Sequence, residues 1–213
     1  MSRRGYFVAV CGIDGSGKTT QLETVANYLS SEGEVVRTRQ PSDLYRGDPA
    51  VRAMLDMADP GPLAVPELAV FAAFDRLRHI RTTVLPALER GASVVTDRYV
   101  YSTYSYFLAR GVDDLGWLME LNRYAPEPDL TLYLDVPTDV AAKRIIARDG
   151  SSRKREELDL DRMDRVRHNF RTQPWGASPR YVTIDGTQAL ESVRDQVIGA
   201  LREHDPRRTQ LTA

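Results

Sequence analysis

A glycine-rich segment near the start of the chain constrains the fold more than any other feature of the sequence. Residues 12–19 read GIDGSGKT and match the pattern G-x-x-x-x-G-K-[ST] in full. An apolar run at residues 6–11 precedes this segment, and an amphipathic stretch at residues 18–31 follows it. This order predicts a strand, a tight loop and a helix, which is the context in which such a loop surrounds phosphate groups.

The chemistry of this loop predicts a site for a nucleoside triphosphate. Glycines let backbone N–H groups approach phosphate oxygens, and the N-terminus of the following helix adds partial positive charge. We expect Lys18 to reach the β- and γ-phosphates and the Thr19 hydroxyl to hold Mg²⁺. ATP and Mg²⁺ are therefore the predicted cofactors. The predicted cofactor-binding residues are Gly12, Asp14, Gly15, Ser16, Gly17, Lys18, Thr19 and Thr20.

Apolar and amphipathic stretches alternate along the rest of the chain. Strands are predicted at residues 6–11, 34–38, 93–96, 130–134 and 181–184. Helices are predicted at residues 18–31, 51–57, 67–89, 138–148, 158–171 and 190–201, with Pro86 kinking or shortening the third. This alternation predicts a three-layer α/β fold with a five-stranded parallel sheet between helices. Residues 1–205 are expected to form one domain, residues 149–157 a small basic lid, and residues 206–213 a disordered tail.

The composition narrows the class of protein. The formal net charge is −1, so no basic field indicates a nucleic-acid partner. The N-terminal apolar run is too short for a membrane span, and no membrane partner is expected. Cys11 is the one cysteine, which fits a reducing compartment, and we expect a cytoplasmic location. The three histidines lack metal-ligand spacing, and His79 is expected on a helix surface.

A second candidate site follows the predicted third strand. Asp97 and Arg98 come directly after the apolar residues 93–96. A carboxylate at this end of a strand beside the phosphate loop is suited to hold Mg²⁺, directly or through water. The adjacent guanidinium matches phosphate bidentately and would clamp it. The alternative is a surface pair that caps the next helix.

With both sites present, the chain resembles the thymidylate kinase family over nearly its whole length. Residues 6–21 resemble the family's first strand and phosphate loop, and residues 38–41 (TRQP) resemble its T-R-E-P segment. Further along, residues 71–76 (FAAFDR) resemble the family's F-A-A-D-R helix, residues 85–91 (LPALERG) its P-A-L-x-x-G segment, and residues 97–102 (DRYVYS) its D-R-Y-x-x-S segment. Residues 128–135 (PDLTLYLD) resemble the family's fourth strand, and residues 184–186 (IDG) resemble its segment near the adenine.

This resemblance implies phosphoryl transfer from ATP–Mg²⁺ to dTMP, with a small-molecule nucleotide as partner and a homodimer as the assembly. It implies that Lys18, Arg98, Asp14 and the lid residues Arg153 and Arg155 are catalytic, with Arg148 as a further candidate, and that Thr19 and Asp97 serve the metal. The substrate-binding residues that it implies are Arg39, Phe71, Ala72, Arg76, Arg98, Ser102, Thr103 and Tyr106, with Tyr106 beside the deoxyribose.

The chain departs from the family mainly where the acceptor would bind. Ala72 holds the place of the family's base-stacking phenylalanine, four residues before Arg76. Phe71 and Phe74 lie on either side, about 100° and 200° around a helix, and their alternative role is core packing. Thr103 stands where some members have asparagine for the edge of the base. Phe107 likewise replaces a common glutamine, and residues 42–44 replace glycines.

Two kinds of alternative function stay open at this point. One is a kinase for a different or modified nucleoside monophosphate. The other is a non-catalytic nucleotide-binding protein or a GTPase-like switch. The sequence has no N-K-x-D guanine-reading motif, which argues against the switch. Gln40 follows the second strand where a nucleoside kinase usually has a carboxylate, and an amide cannot serve as a general base. This favours an acceptor that is already a phosphate.

Overall fold

Five parallel strands form a single sheet in the computed structural model, which describes residues 4–57, 61–149 and 159–209. The strands are β1 (Phe7–Cys11), β2 (Val35–Arg39), β3 (Ser93–Asp97), β4 (Leu130–Asp135) and β5 (Tyr181–Asp185). Their order across the sheet is β2-β3-β1-β4-β5, and every neighbouring pair is parallel. The prediction of a five-stranded parallel sheet is confirmed.

Helices cover the sheet and connect its strands. The α-helices are α1 (Lys18–Ser30), α2 (Asp43–Gly47), α3 (Pro49–Asp56), α4 (Ala64–His79), α5 (Leu85–Glu89), α6 (Val100–Ala109), α7 (Leu115–Leu121), α8 (Thr138–Asp149), α9 (Leu160–Thr172), α10 (Leu190–Glu203) and α11 (Pro206–Thr209). A π-helical segment at Ile80–Val84 joins α4 to α5, and a 3-10 turn spans Pro174–Ala177.

The sheet separates two apolar cores, because alternate residues of a strand point to opposite faces. Phe7, Ala9 and Cys11 belong to one core, whereas Tyr6, Val8 and Val10 belong to the other. All five residues of β1 are buried, as expected for a central strand of a parallel sheet covered on both sides. Helices on both faces give the three layers that the sequence predicts.

The predicted helix at residues 67–89 differs most from the structure. It begins earlier, at Ala64, and a π-helical turn and the start of α5 interrupt it. Pro86 lies in the first turn of α5, where its missing N–H removes one hydrogen bond of a continuous α-helix. The π-helical turn directly before α5 accommodates this missing hydrogen bond, and single π turns of this kind occur inside α-helices.

The sequence prediction missed the helices α2, α6 and α7, and two of these, α2 and α7, begin at side-chain caps. The Ser42 hydroxyl accepts a hydrogen bond from the Leu44 N–H at the start of α2. The Asp114 carboxylate accepts one from the Trp117 N–H at the start of α7. Side-chain caps of this kind stabilise a helix start without the apolar period that a longer helix displays.

Residues 206–209, at the start of the predicted tail, form α11, and Arg207 contacts the rest of the domain. Arg207 donates from Nε to Oδ1 of Asp205 at 2.8 Å, and Asp205 is 2% exposed. Arg207 also pairs with Glu32 and lies over the Tyr6 ring, 5.7 Å from its centroid. Residues 210–213 lie outside the described residues.

The sheet brings the two predicted sites together at one edge. Val10 of β1 is in register with Asp97 of β3, and Thr96 of β3 is in register with Thr38 of β2. The segments that follow these three strands therefore open at the same carboxyl edge, where ligands bind in open α/β sheets.

Candidate active site

Glycines shape the loop that joins β1 to α1. Gly12, Gly15 and Gly17 have φ angles of 147°, 77° and 94°, which side-chain-bearing residues rarely adopt. A Cβ at Gly15 would lie 2.3 Å from the carbonyl oxygen of Ala141 in α8, so this position also lacks the space for one. The loop ends at Lys18, where α1 begins and its first N–H groups face the loop.

Lys18 lies inside this loop, with 8% of its surface exposed. Its Nζ donates to the Ile13 carbonyl at 2.8 Å and lies 3.5 Å from Oδ1 of Asp14. Burial lowers the pKa of Lys18 to about 8, and the charge of Arg98 acts in the same direction. Among the described residues this buried amine contacts one carboxylate, and it is well placed to bind added negative charge, such as phosphate oxygens.

Arg98 connects the end of β3 to the phosphate loop. It donates from Nη1 to the Gly12 carbonyl at 2.8 Å and from Nη2 to Oδ1 of Asp14 at 2.6 Å. Its guanidinium lies over the Tyr106 ring, 4.8 Å from the centroid. Burial alone would raise the pKa of Asp14, but Arg98 and Lys18 together hold it well below its usual range. Asp14 is thus a carboxylate under all ordinary conditions.

The backbone of Arg98 is strained. Among the described residues other than glycine, only Arg98 has a positive φ, at 65°. Strain of this kind costs about 1–3 kcal/mol and clusters at functional sites. The arginine is 9% exposed, so the turn holds a cation in the interior beside the loop.

Asp97 and Thr19 fit the metal that the sequence predicts. Oδ1 of Asp97 is buried and has no hydrogen-bond partner, which leaves a carboxylate oxygen for a cation or its water. Thr19 is exposed in the first turn of α1, one residue after Lys18. No cluster of three or more His, Cys, Asp or Glu side chains occurs within the described residues. Mg²⁺ in nucleotide sites typically has one or two protein ligands plus phosphates and water, which agrees with this donor set.

Arg76 forms the centre of the predicted acceptor side and is 1% exposed. Its Nε donates to Oδ1 of Asn122 at 2.8 Å, and its two terminal nitrogens donate to Gln40 Oε1 and Thr103 Oγ1. The guanidinium also lies over the Tyr99 ring at 5.2 Å. The structure therefore brings the predicted residues Arg76 and Thr103 into contact. A guanidinium has five N–H donors, so two remain beyond those three bonds.

Arg46 is a residue of this edge that the sequence reasoning missed. It lies on α2, and its Nε donates to the Pro41 carbonyl at 2.7 Å. Burial lowers the pKa of Arg46, and the neighbouring charges of Arg98 and Arg39 lower it further. Arg39 itself is exposed and pairs with Asp43. Three cations thus lie near one another after β2 and β3, and an anion such as a phosphate would relieve their repulsion.

The aromatic residues predicted near the base occupy different places. Ala72 is buried at 1% exposure, on the α4 face that also buries Arg76. Phe71 points elsewhere, with its ring 5.7 Å from Tyr45, and lines a cavity of about 160 Å³ against α3. Phe74 is 54% exposed. The helix is regular α between Phe71 and Arg76, so the irregularity lies further along, at Ile80–Val84.

The remaining predicted residues are distributed as follows. Tyr106 is partly buried against Arg98, and Ser102 is buried next to the Cys11 thiol. Ser16 is buried, and its hydroxyl has no hydrogen-bond partner. Arg148 is exposed on α8, and Thr20 is exposed on α1. Arg153 and Arg155, the predicted catalytic lid residues, lie outside the described residues.

The expectation that His79 lies on a helix surface is wrong. It is half-buried, and its two ring nitrogens contact Thr38 of β2 and Gln40 directly after β2. The period of α4 places His79 one turn after Asp75 and Arg76, on the same face. The buried polar residues of this face made the apolar pattern unreadable there.

The loop around Lys18 can surround the polyphosphate of one nucleotide, and the arginines after β2 and β3 face a second position on the same edge. This pairing of a triphosphate site with an arginine-lined phosphate site defines a P-loop nucleotide kinase.

Comparisons with known proteins agree with this class. The sequence model of the thymidylate kinase family matches residues 10–197. A probable thymidylate kinase of Pyrococcus horikoshii is 35% identical over 205 residues, covering 95% of this chain and 98% of the relative. The thymidylate kinase of Chromohalobacter salexigens is 36% identical over 206 residues, covering 93% and 96%. The chain belongs to the thymidylate kinase family, whose members are nucleoside monophosphate kinases.

Replacing Arg98 with lysine tests the clamp between β3 and the loop. A lysine has one nitrogen in place of the two that Arg98 directs separately at Gly12 and Asp14, so we expect kcat/KM for the acceptor to fall about ten- to a hundredfold. Steady-state kinetics measured against both substrates gives this number. Arg123→Lys, at an exposed ion pair with Glu120, is the matched control and should change nothing. Unchanged acceptor kinetics in Arg98→Lys would remove Arg98 from the site.

The lowered pKa of Lys18 predicts proton uptake when ATP binds. At about pH 8.5 the free protein holds Lys18 largely neutral, and phosphate charges raise its pKa on binding, so part of one proton is taken up. Affinity for ATP accordingly weakens as pH rises through about 8. Calorimetry in buffers of different ionisation enthalpy measures the uptake. Lys18→Met should abolish the proton uptake, whereas Lys143→Met, at an exposed residue of α8, should leave it unchanged. Equal uptake in Lys18→Met would contradict the assignment.

Proposed function

We propose that the protein transfers the γ-phosphoryl group of ATP–Mg²⁺ to dTMP, giving dTDP and ADP. The observation that carries this proposal is the approach of Arg98 to Gly12 and Asp14, which unites the triphosphate loop with the arginine-lined acceptor position. The family membership supports the same acceptor. The acceptor phosphate is already a competent nucleophile, so positioning and charge neutralisation supply the catalysis.

In this proposal the chain's own residues have separate tasks. The loop N–H groups and Lys18 bind the donor phosphates, and Thr19 and Asp97 would hold Mg²⁺, which neutralises charge between the β- and γ-phosphates when bound. Arg98 and Arg46 face the acceptor phosphate. Asp14 keeps Arg98 in place through their ion pair. Cys11, a buried free thiol, fits a cytoplasmic location for this activity.

The acceptor is tested by ADP release with ATP–Mg²⁺ and a panel of nucleoside monophosphates: dTMP, dUMP, dCMP, UMP and dGMP, with thymidine as the unphosphorylated control. We expect a strong preference for dTMP and no turnover with thymidine or without Mg²⁺. Preference for another nucleotide would contradict the dTMP assignment and show that Ala72, Thr103 and Phe107 belong to an altered pocket. Equal ADP release without any acceptor would indicate an ATPase.

The lid arginines are proposed to stabilise charge on the transferring group. Arg153→Ala and Arg155→Ala should each lower kcat, and the double variant should lower it by about a hundredfold or more. Nucleotide affinity should change little in all three variants. Single-turnover kinetics and equilibrium ATP binding separate the two quantities. Arg180→Ala, at an exposed ion pair with Glu127, is the control. Loss of affinity alone would make these arginines binding residues.

A homodimer is proposed from an exposed apolar stripe along α4. Leu63, Val70 and Phe74 are 76%, 49% and 54% exposed and repeat at helical spacing. Patches of this kind commonly mark an interface between subunits. Light scattering should give a dimer mass for the unmodified protein and a monomer mass for Phe74→Lys. The control Leu190→Lys, at an exposed residue of α10, should remain dimeric. A monomeric unmodified protein would refute the dimer.

Within the described residues, none of the helices combines the length and the apolar character needed to cross a bilayer.

A further inference from the structure

A row of hydrogen bonds runs from β2 to the buried arginine of the acceptor side. His79 Nε2 lies 2.7 Å from Thr38 Oγ1, and His79 Nδ1 lies 2.9 Å from Gln40 Nε2. The other end of the Gln40 amide, Oε1, accepts from Nη1 of Arg76. The contacts therefore join Thr38, His79, Gln40 and Arg76 in sequence, across the gap between β2 and α4.

Arginine fixes the direction of every bond in this row. A guanidinium can only donate, so the Gln40 atom that faces Arg76 must be the amide oxygen. The amide nitrogen of Gln40 then faces His79 and donates, so Nδ1 of His79 must accept. The ring proton of His79 therefore resides on Nε2 and is donated to Thr38. This assignment follows from the chemistry of Arg76 and does not depend on placing hydrogens.

We propose that His79, acting through Gln40, is a positioning residue that holds Arg76 in its acceptor-binding orientation only while its ring is neutral. The proposal rests on the proposed function, since it gives Arg76 the acceptor as its ligand. Gln40 is 1% exposed and Arg76 is 1% exposed, so water cannot readily replace the bond between them. His79 is half-buried and is the titratable member of the row that proton exchange with solvent can reach.

Protonation of His79 would place two donors face to face. A charged imidazole carries N–H on both ring nitrogens, and Gln40 Nε2 is also a donor. Turning the Gln40 amide over would satisfy His79 but would direct the amide nitrogen at the guanidinium of Arg76. Either outcome breaks one bond of a buried network, and an unsatisfied buried polar group is costly. If the amide turns, the bond that breaks is the one that steadies Arg76; if it stays, Gln40 loses the acceptor that fixes the amide bonded to Arg76.

The charges around His79 favour its neutral form. Burial lowers its pKa below the ordinary value, Arg76 lowers it further, and Asp75 acts in the opposite direction. Both of these charges are on α4 itself. The groups that face His79 from the β2 segment, Thr38 and Gln40, are uncharged. Asp75 is already engaged, because its Oδ2 accepts from the Ser42 N–H at 2.7 Å.

Two substitutions at His79 separate positioning from packing. His79→Asn places an amide oxygen near the position of Nδ1, where it can accept from Gln40. His79→Gln reaches the position of Nε2 near Thr38 and leaves Gln40 without its acceptor. We expect His79→Gln to raise the acceptor KM about tenfold, with kcat and the KM for ATP within about twofold. His79→Asn should keep the acceptor KM of the unmodified protein at about pH 8. His168→Asn, on α9, is the control.

The pH profile gives a readout that a packing role would not produce. In the unmodified protein, kcat/KM for the acceptor should fall as pH drops through the His79 pKa, below its ordinary value of about 6.5. The acceptor phosphate also titrates near pH 6, but it does so equally in every variant. A low-pH loss that is present in the unmodified protein and absent from His79→Asn belongs to His79. Identical profiles, or equal acceptor KM values in His79→Asn and His79→Gln, would overturn the proposal.

A spectroscopic test on the ligand-free protein does not depend on activity, so it can refute the role of His79 separately from the proposed function. Long-range ¹H–¹⁵N correlation should show His79 as the Nε2–H tautomer at neutral pH, assigned by its absence from His79→Asn. The Nε–H signal of Arg76 should shift with the same midpoint. Gln40→Glu, which can accept from both neighbours, should raise that midpoint by about one pH unit or more. An Nδ1–H tautomer, or His79 titration without an Arg76 response, would overturn the proposal even in an active kinase.

Discussion

The ion pair and hydrogen bond of Arg98 hold the two halves of the active site together. The guanidinium contacts the Gly12 carbonyl and the Asp14 carboxylate in the phosphate loop, while its backbone continues directly from β3. The positive φ of Arg98 is the cost of directing the side chain back over the loop. The sheet register supports this geometry by placing Asp97 beside Val10 of β1. Because β1 and β3 are neighbours, a short turn after β3 suffices to reach the loop after β1.

A second buried arginine organises the acceptor side. Arg76 has neutral hydrogen-bond partners in Gln40, Thr103 and Asn122, and no carboxylate of the described residues contacts it directly. A buried cation with spare donors is complementary to oxygen atoms of a ligand. The segment between β2 and α2 is tied to the same face of α4, since Asp75 bonds Ser42 and His79 bonds Gln40. This attachment also positions α2 and its Arg46.

The features predictable from the sequence were those encoded by local pattern. The loop at residues 12–19 has a defined motif, and the buried strands are continuous apolar runs, so both were assigned with near-correct bounds. Residues that act through long-range contacts were harder to find. Arg46 lies in a short helix without an apolar period, and His79 lies on a helix face whose buried members are polar.

In the acceptor pocket, too, the sequence alone could not predict which side chains lie next to each other. Helical geometry alone separates Phe71 from Ala72 by about 100°, and the structure directs Phe71 toward α3 while Ala72 is buried beside Arg76. The sequence could not indicate whether an irregular turn brings Phe71 back. The π-helical turn does exist, but it follows Arg76 and leaves the spacing of the earlier residues unchanged. Residues 150–157 of the predicted lid at 149–157 lie outside the described residues, so their part in the site rests on the sequence.

The central claim is that this site moves a phosphoryl group between two bound nucleotides and not to water. The most direct measurement uses ATP radiolabelled in its γ-phosphate, mixed with dTMP, Mg²⁺ and excess enzyme in a single turnover, followed by chromatographic separation of the products. We predict that the label appears in dTDP and that free inorganic phosphate stays at background. Label that appears in inorganic phosphate, or that remains in ATP while dTMP is unchanged, would contradict it.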